Sequence, residues 1–170
     1  MKNRKGLSPN GGFTMIELII VIAIIAILAA AIFVAIDPAR RLHESRNARR
    51  NSDIATILEG VKTYQADNDG AHYSTVAALT NGNYYTIGTC ATGGNTGCTA
   101  QTTQAACVDL SAIGTGYLAT VPMDPSTGAA AKTDYYMMKD ANGAVTVGAC
   151  DTEGGGAGGA GTAPVIKLAR

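Results

Sequence analysis

The strongest pattern along the chain is a long run of apolar residues near its N-terminus. From Leu18 to Ile36 the sequence reads LIIVIAIIAILAAAIFVAI, nineteen residues without a charge. At about 1.5 Å per residue, a helix of this length approaches the roughly 30 Å thickness of the hydrocarbon layer of a membrane. The run therefore predicts a single membrane-spanning helix.

A second, amphipathic helical pattern follows and is predicted to extend to about Ala66. Its apolar positions recur at helical spacing: Ile54, Ile57, Leu58, Val61 and Tyr64. Pro38 interrupts the pattern near its start, and a proline disfavours the α conformation in the residue before it, here Asp37. A kink or break is predicted there. It is either a flexible joint or a plain helix break at the membrane surface.

Beyond the turn residues Asn68, Asp69 and Gly70, the pattern shortens into Gly- and Thr-rich segments that are typical of strands and loops. The predicted strands are Tyr84 to Ile87, Asp134 to Lys139, Ala144 to Ala149 and Pro164 to Leu168, with a hairpin turn at Asn142 and Gly143. The amphipathic helix can cover one face of such an antiparallel sheet. The predicted fold class is therefore α+β.

Four cysteines, Cys90, Cys98, Cys107 and Cys150, all follow the apolar run, and none has the C-x-x-C spacing of a zinc or redox site. An even number in a small Gly-rich domain with a light core predicts two disulfides in an oxidising compartment, with four reduced thiols as the alternative. Of the three possible pairings, we favour Cys90 with Cys98 and Cys107 with Cys150.

A short basic leader precedes the apolar run and ends in Gly11 and Gly12, followed by Phe13. The stretch GFTMIELIIVIAIIAILAA closely resembles the cleavage and assembly signature of type IV prepilins and of type II secretion pseudopilins. This resemblance implies that a membrane-embedded prepilin peptidase cuts between Gly12 and Phe13 on the cytoplasmic face and methylates the new amine of Phe13. The apolar helix would be kept.

Glu17 is the one charge at the start of this helix. An ionised carboxylate at the centre of a membrane helix costs on the order of 2.5 to 3.5 kcal/mol, so it needs a partner. The resemblance implies one, namely the positive N-terminal amine of Phe13 in a neighbouring subunit. The alternative is that Glu17 complements the dipole of the helix start and extends toward the membrane interface.

The resemblance also implies a division of the chain and a function. Residues 1–12 are the cytoplasmic leader, 13–36 the transmembrane and assembly half of the helix, 37–67 its amphipathic half, and 68–170 a globular head with a Cys-bearing insertion. The chain would form a homo-polymeric type IV pilus filament, served by an assembly ATPase and an inner-membrane platform protein. It would span the membrane once, N-terminus in the cytoplasm, before joining an extracellular or periplasmic filament.

Two further functions stay open: a pseudopilin of a type II secretion system, and a membrane-anchored extracellular binding domain that never polymerises. Two shorter stretches resemble the helix end and the Pro-Asp-Pro loop of short pilins and major pseudopilins. They are DIATILEGVKTYQADNDGAHY and YLATVPMDPSTG.

Neither catalysis, a metal nor a cofactor is predicted. His43 and His72, the two histidines, have no convincing nucleophile beside them, so the chain does not resemble an enzyme. Acidic turns at Asp67 and Asp140 lack the glutamate of an EF-hand, which favours a turn role and leaves calcium as the alternative.

The zero net charge gives no nucleic-acid footprint. Five arginines follow the apolar run: Arg40, Arg41, Arg46, Arg49 and Arg50. We interpret them as a solvated or headgroup-facing helix surface, with a DNA contact as the lesser alternative. A count of basic residues would point the helix the other way. We set that count aside because of the cysteines and the leader.

Overall fold

The computed structural model describes residues 12–91, 97–114 and 116–170. Within these ranges the elements are α1 (Met15–Ile36), α2 (Pro38–Asp67), α3 (Ser74–Ala77), β1 (Tyr84–Ile87), β2 (Thr103–Val108), β3 (Tyr135–Lys139), β4 (Val145–Ala149) and β5 (Lys167–Ala169), with a 3-10 turn at Ala157–Gly159. The chain divides after Pro38 into two compact units.

The first unit contains helix α1. No residue of α1 is buried within the described part of the chain, and its large apolar side chains are about half exposed or more. Exposing so much apolar surface to water is unfavourable at about 25 cal/mol per Å². In length and composition α1 is suited to cross a membrane. We therefore expect α1 to be surrounded by apolar groups and not by water.

The helix breaks between the two predicted halves. α1 ends at Ile36, and Asp37 has the left-handed backbone angles φ 46° and ψ 72°. α2 then begins at Pro38. Proline is well accommodated at the first position of a helix, because a backbone N–H at that position would have no intrahelical partner in any case. The role of Pro38 as a joint remains a prediction.

The second unit contains a five-stranded sheet in the order β2-β1-β3-β4-β5. The predicted hairpin is confirmed, since β3 and β4 pair in antiparallel register around Gly143, which has φ 84°. β5 begins at Lys167, later than predicted. The α+β class is confirmed, but the sheet is mixed, because β2 pairs with β1 in parallel. The sequence did not predict β2, whose residues TQAACV lack an alternating apolar pattern.

One face of this sheet packs with α2 into the core. The core cluster joins the apolar face of α2 to alternate residues of β3 and β4: Ile54, Ile57, Leu58, Val61, Tyr135, Met137, Val145 and Val147. Tyr136 is also fully buried but lies outside this cluster. Its ring packs edge to face on Tyr84 with centroids 5.5 Å apart, and it fills the space that a side chain on its strand partner Gly148 would need. Both faces of β3 are thus covered.

Two disulfides close the head, as the even number of cysteines predicts. The pairs are Cys90–Cys107 and Cys98–Cys150, so the pairing favoured from the sequence is wrong. The reason is strand β2, which carries Cys107 alongside β1 and brings its Cα within 5.8 Å of the Cα of Cys90. Cys98 then meets Cys150 at the end of β4. The two pairs interleave along the chain.

Candidate functional site

The residues at the start of α1 form a reciprocal hydrogen-bonded cap. Thr14 is the N-cap, and its Oγ1 accepts a hydrogen bond from the backbone N–H of Glu17 at 3.3 Å. In return Glu17 Oε2 accepts from the backbone N–H of Thr14 at 2.8 Å and from its hydroxyl at 2.7 Å. This capping box satisfies two otherwise unpaired donors and holds the carboxylate at the first turn.

The cap leaves part of the Glu17 carboxylate available. None of the hydrogen bonds among the described residues uses Oε1, although an ionised carboxylate can accept about four. Phe13, one residue before the cap, is 87% exposed. The structure therefore shows the helix-start role of Glu17 and leaves one of its oxygens open to a further donor.

Gly12 precedes Phe13 in an exposed, non-helical segment. A Cβ placed on Gly12 would meet no atom of the described residues within 4 Å, and the φ of Gly12 is not in the left-handed region. The described part of the chain therefore does not require glycine at this position. A requirement for a small residue here would have to come from a partner that binds this peptide. Gly11 and the rest of the predicted leader lie outside the described residues.

The second unit contains a buried ion cluster that centres on Arg50 of α2. Arg50 is fully buried and makes a two-pronged contact with Asp124, from Nε to Oδ2 at 2.6 Å and from Nη2 to Oδ1 at 3.0 Å. Its Nη1 donates to Glu153 Oε2 at 2.9 Å and to Asn47 Oδ1. Such paired, charge-assisted bonds fix both distance and angle. The cluster therefore ties α2 to two distant loops.

The same helix face holds the Gly-rich segment that follows Glu153. Arg46 donates to Glu153 Oε1 at 2.7 Å, and His43 Nδ1 lies 3.0 Å from the carbonyl oxygen of Gly154. The interpretation of the arginines as a solvated surface is thus wrong for Arg50, which is fully buried, whereas Arg46 is half-buried and paired with Glu153. Nothing near them in sequence identifies their partners. The Pro-Asp-Pro loop with Asp124 was the one available signal.

The charge state of the ion cluster follows from its contacts. Burial alone would raise the pKa of Asp124, but hydrogen bonds from Arg50 and Ser126 and the charge of Arg50 lower it to about 2. Burial likewise opposes ionisation of Glu153, and Arg50 and Arg46 still lower the pKa of its carboxyl. Both carboxylates are therefore stabilised in the charged form.

The cluster should make the head less stable in acid. The pKa of Asp124 is about 2 in the folded chain, against an ordinary value of 3.8. The contribution of Asp124 to the free energy of unfolding is therefore present above about pH 4 and is lost as the pH falls toward 2. This contribution is on the order of 2 kcal/mol. Denaturant unfolding of the detergent-solubilised chain at several pH values measures it. The Asp124→Asn variant should lose much of this pH dependence, and an unchanged slope would contradict the assignment.

The acidic turns act as turns in the structure. Asp69 and Gly70 both have positive φ after the end of α2, and Asp140 Oδ1 accepts from the backbone N–H groups of Asn142 and Ala144. Among the described residues, no group of three or more His, Cys, Asp or Glu side chains is placed to hold a metal.

The sequence around the start of α1 matches a known family model. Residues 7–33 match the family described as the prokaryotic N-terminal methylation motif. No curated protein and no solved structure matches the chain significantly. The matched segment contains Gly12, Phe13 and Glu17 and most of the exposed apolar helix. The chain therefore carries the prepilin signature of the type IV pilins and pseudopilins.

Proposed function

We propose that this chain is a structural subunit of a type IV pilus filament, cut between Gly12 and Phe13 and polymerised through α1. The observation that carries the proposal is the methylation motif on a helix whose apolar residues are all exposed. The second unit has a core of its own, and no residue of α1 is buried within the described part of the chain. Such a helix needs either lipid or other helices around it.

In the proposed function, α1 is surrounded first by lipid and later by the α1 helices of other copies. Before assembly α1 lies in the membrane as a single span, with residues 1–12 as a cytoplasmic leader. In the filament, residues 13–36 pack against the same segments of other copies, residues 37–67 continue the helix, and residues 68–170 form the outer head. Lipid and neighbouring helices are both apolar. Moving α1 from the membrane into the filament therefore lowers the free energy only a little. An assembly ATPase and an inner-membrane platform protein would supply the work.

Glu17 would direct this packing. A cut after Gly12 creates a positive amine on Phe13, while the amide N–H of Thr14 that holds Glu17 Oε2 remains. Glu17 Oε1 can then accept from the Phe13 amine of a neighbouring copy. Such a pair is favourable in an apolar setting, because each charge would otherwise be stranded there.

The disulfides support the orientation of the span. Bonds such as Cys90–Cys107 and Cys98–Cys150 persist in oxidising compartments, which supports a head outside the cytoplasm. The N-terminus then faces the cytoplasm, where the peptidase acts.

A pseudopilin of a type II secretion system is the second candidate, since the same motif is the signature of that class. It would form a short periplasmic filament, and electron microscopy of cells distinguishes this from a surface pilus. The Cys-bearing insertion inclines us toward the pilus.

Mass spectrometry of the native N-terminus tests the proposal. We expect the mature chain to begin at Phe13 and to carry one methyl group on its amine. A Gly12→Glu variant should retain the leader, while its head stays folded, because a Cβ at this position would meet no atom of the described residues within 4 Å. A purified native chain that retains its leader in a host with an active prepilin peptidase would overturn the proposal.

A further inference from the structure

An apolar projection stands out on the head near its C-terminus. Val165 is 74% exposed, whereas the next residue, Ile166, is buried in the core. Pro164 precedes Val165, and its ring fixes its own backbone φ. The pair lies just before β5, the strand at one edge of the sheet. We name Pro164 and Val165 the knob.

An apolar pocket of about 340 Å³ opens near the other edge of the sheet. Gly88, directly after β1, lines it together with Leu110, Val121 and Met123. Leu110 is fully buried, whereas Met123 is 43% exposed at the surface. The pocket therefore offers apolar contacts and has ample space for a valine side chain.

The charges around the knob and the pocket are complementary. Of the described residues that line the pocket, Asp109 alone can ionise. From Gly154 to Arg170 the chain contains Lys167 and Arg170 and no Asp or Glu. Lys167 is exposed two residues after Val165. A basic strand meeting an acidic pocket rim favours the correct register and rejects like-charged alternatives.

The positions of the two features decide what kind of contact they can make. The pocket adjoins β1, and the knob adjoins β5, which are separated by β3 and β4 in the sheet. A contact between two different patches of identical chains is heterologous, so it continues from copy to copy. We propose that the knob of one subunit enters the pocket of another along the filament. This inference rests on the proposed function.

A photo-crosslinking experiment on the full chain tests the contact. A benzophenone amino acid placed at position 165 abstracts hydrogen efficiently from methionine, and Met123 lines the pocket. In sheared filaments from the assembling host, we expect a covalent dimer after irradiation. Because Cys98–Cys150 already links the two peptides concerned, the disulfides are reduced first, and the tryptic digest of the dimer should then join residues 140–167 to residues 63–132. The same probe at exposed Ala71, in the turn after α2, should form no bond to Met123.

A substitution provides the independent measurement. Val165→Asp should weaken each contact about tenfold or more and give fewer and shorter filaments, because it places a charge where an apolar side chain would be buried. N-terminal processing should be unchanged, and Val165→Leu should assemble normally.

The contact between subunits and the pilus function can be overturned separately. Normal filaments that yield no pocket adduct, or adducts only with a different protein, would overturn the contact and leave the pilus function intact. A processed, unmodified chain that forms no filaments in its assembling host would overturn both.

Discussion

Replacing Arg50 by alanine is expected to destabilise the head by about 3 to 5 kcal/mol, the usual cost of removing one partner from a buried ion pair. The side chains of Arg50 and Asp124 are both fully buried. Without the guanidinium, the Asp124 carboxylate keeps its bonds from Ser126 but loses its opposite charge. Denaturant unfolding of the detergent-solubilised chain, with disulfides intact, measures the change.

Arg49 is the matched control for this experiment. It occupies the preceding position of α2, is 65% exposed and lies 3.7 Å from Asp53. Exposed pairs of this kind contribute at most about 1 kcal/mol, so Arg49→Ala should unfold nearly as the unmodified chain does. Equal destabilisation by the two variants would show that Arg50 contributes no more than an exposed arginine.

Replacing Glu17 by alanine is expected to block filament formation or reduce it sharply, while leaving membrane insertion intact. The substitution removes the one carboxylate that could meet the amine of Phe13, and it makes α1 still more apolar. Each incoming subunit would then bury an unpaired positive charge. Counting surface filaments by electron microscopy and measuring chain in the membrane fraction separates assembly from insertion.

Thr14→Ala separates the two roles of Glu17. It removes the hydroxyl that caps α1, which should cost the helix start roughly 1 kcal/mol, but it retains the carboxylate. If Glu17 pairs with a neighbouring amine, this variant should still assemble. If capping is its whole role, both variants should fail alike. Normal filaments from the Glu17→Ala variant would refute the pairing.

Local patterns predicted much of the fold. The apolar run, the spacing of Ile54 to Tyr64 and the Asn142–Gly143 turn each report on neighbours within a few residues, and the structure contains α1, α2 and the β3–β4 hairpin there. Strand β2 was missed because its small and polar residues alternate weakly, and its partner β1 is held in parallel register. Such pairing depends on chain outside any local window.

The remaining errors involve distant partners. Arg50 contacts Asp124 and Glu153, which are 74 and 103 residues away, so helical periodicity places Arg50 on a face without identifying what covers it. The predicted disulfide pairing was wrong for the same reason, because Cys107 reaches Cys90 only when β2 is paired with β1. By contrast Gly12, Phe13 and Glu17 lie in one contiguous segment, where a motif can be recognised without the fold.

The crossed order of the disulfides keeps the chain covalently connected after a single proteolytic cut. A cut between Cys98 and Cys107 leaves two fragments linked by both bonds, and a cut elsewhere from Cys90 to Cys150 leaves them linked by one. Sequential pairing would let a cut between Cys98 and Cys107 release the fragments. No single scission in this stretch can therefore sever the molecule.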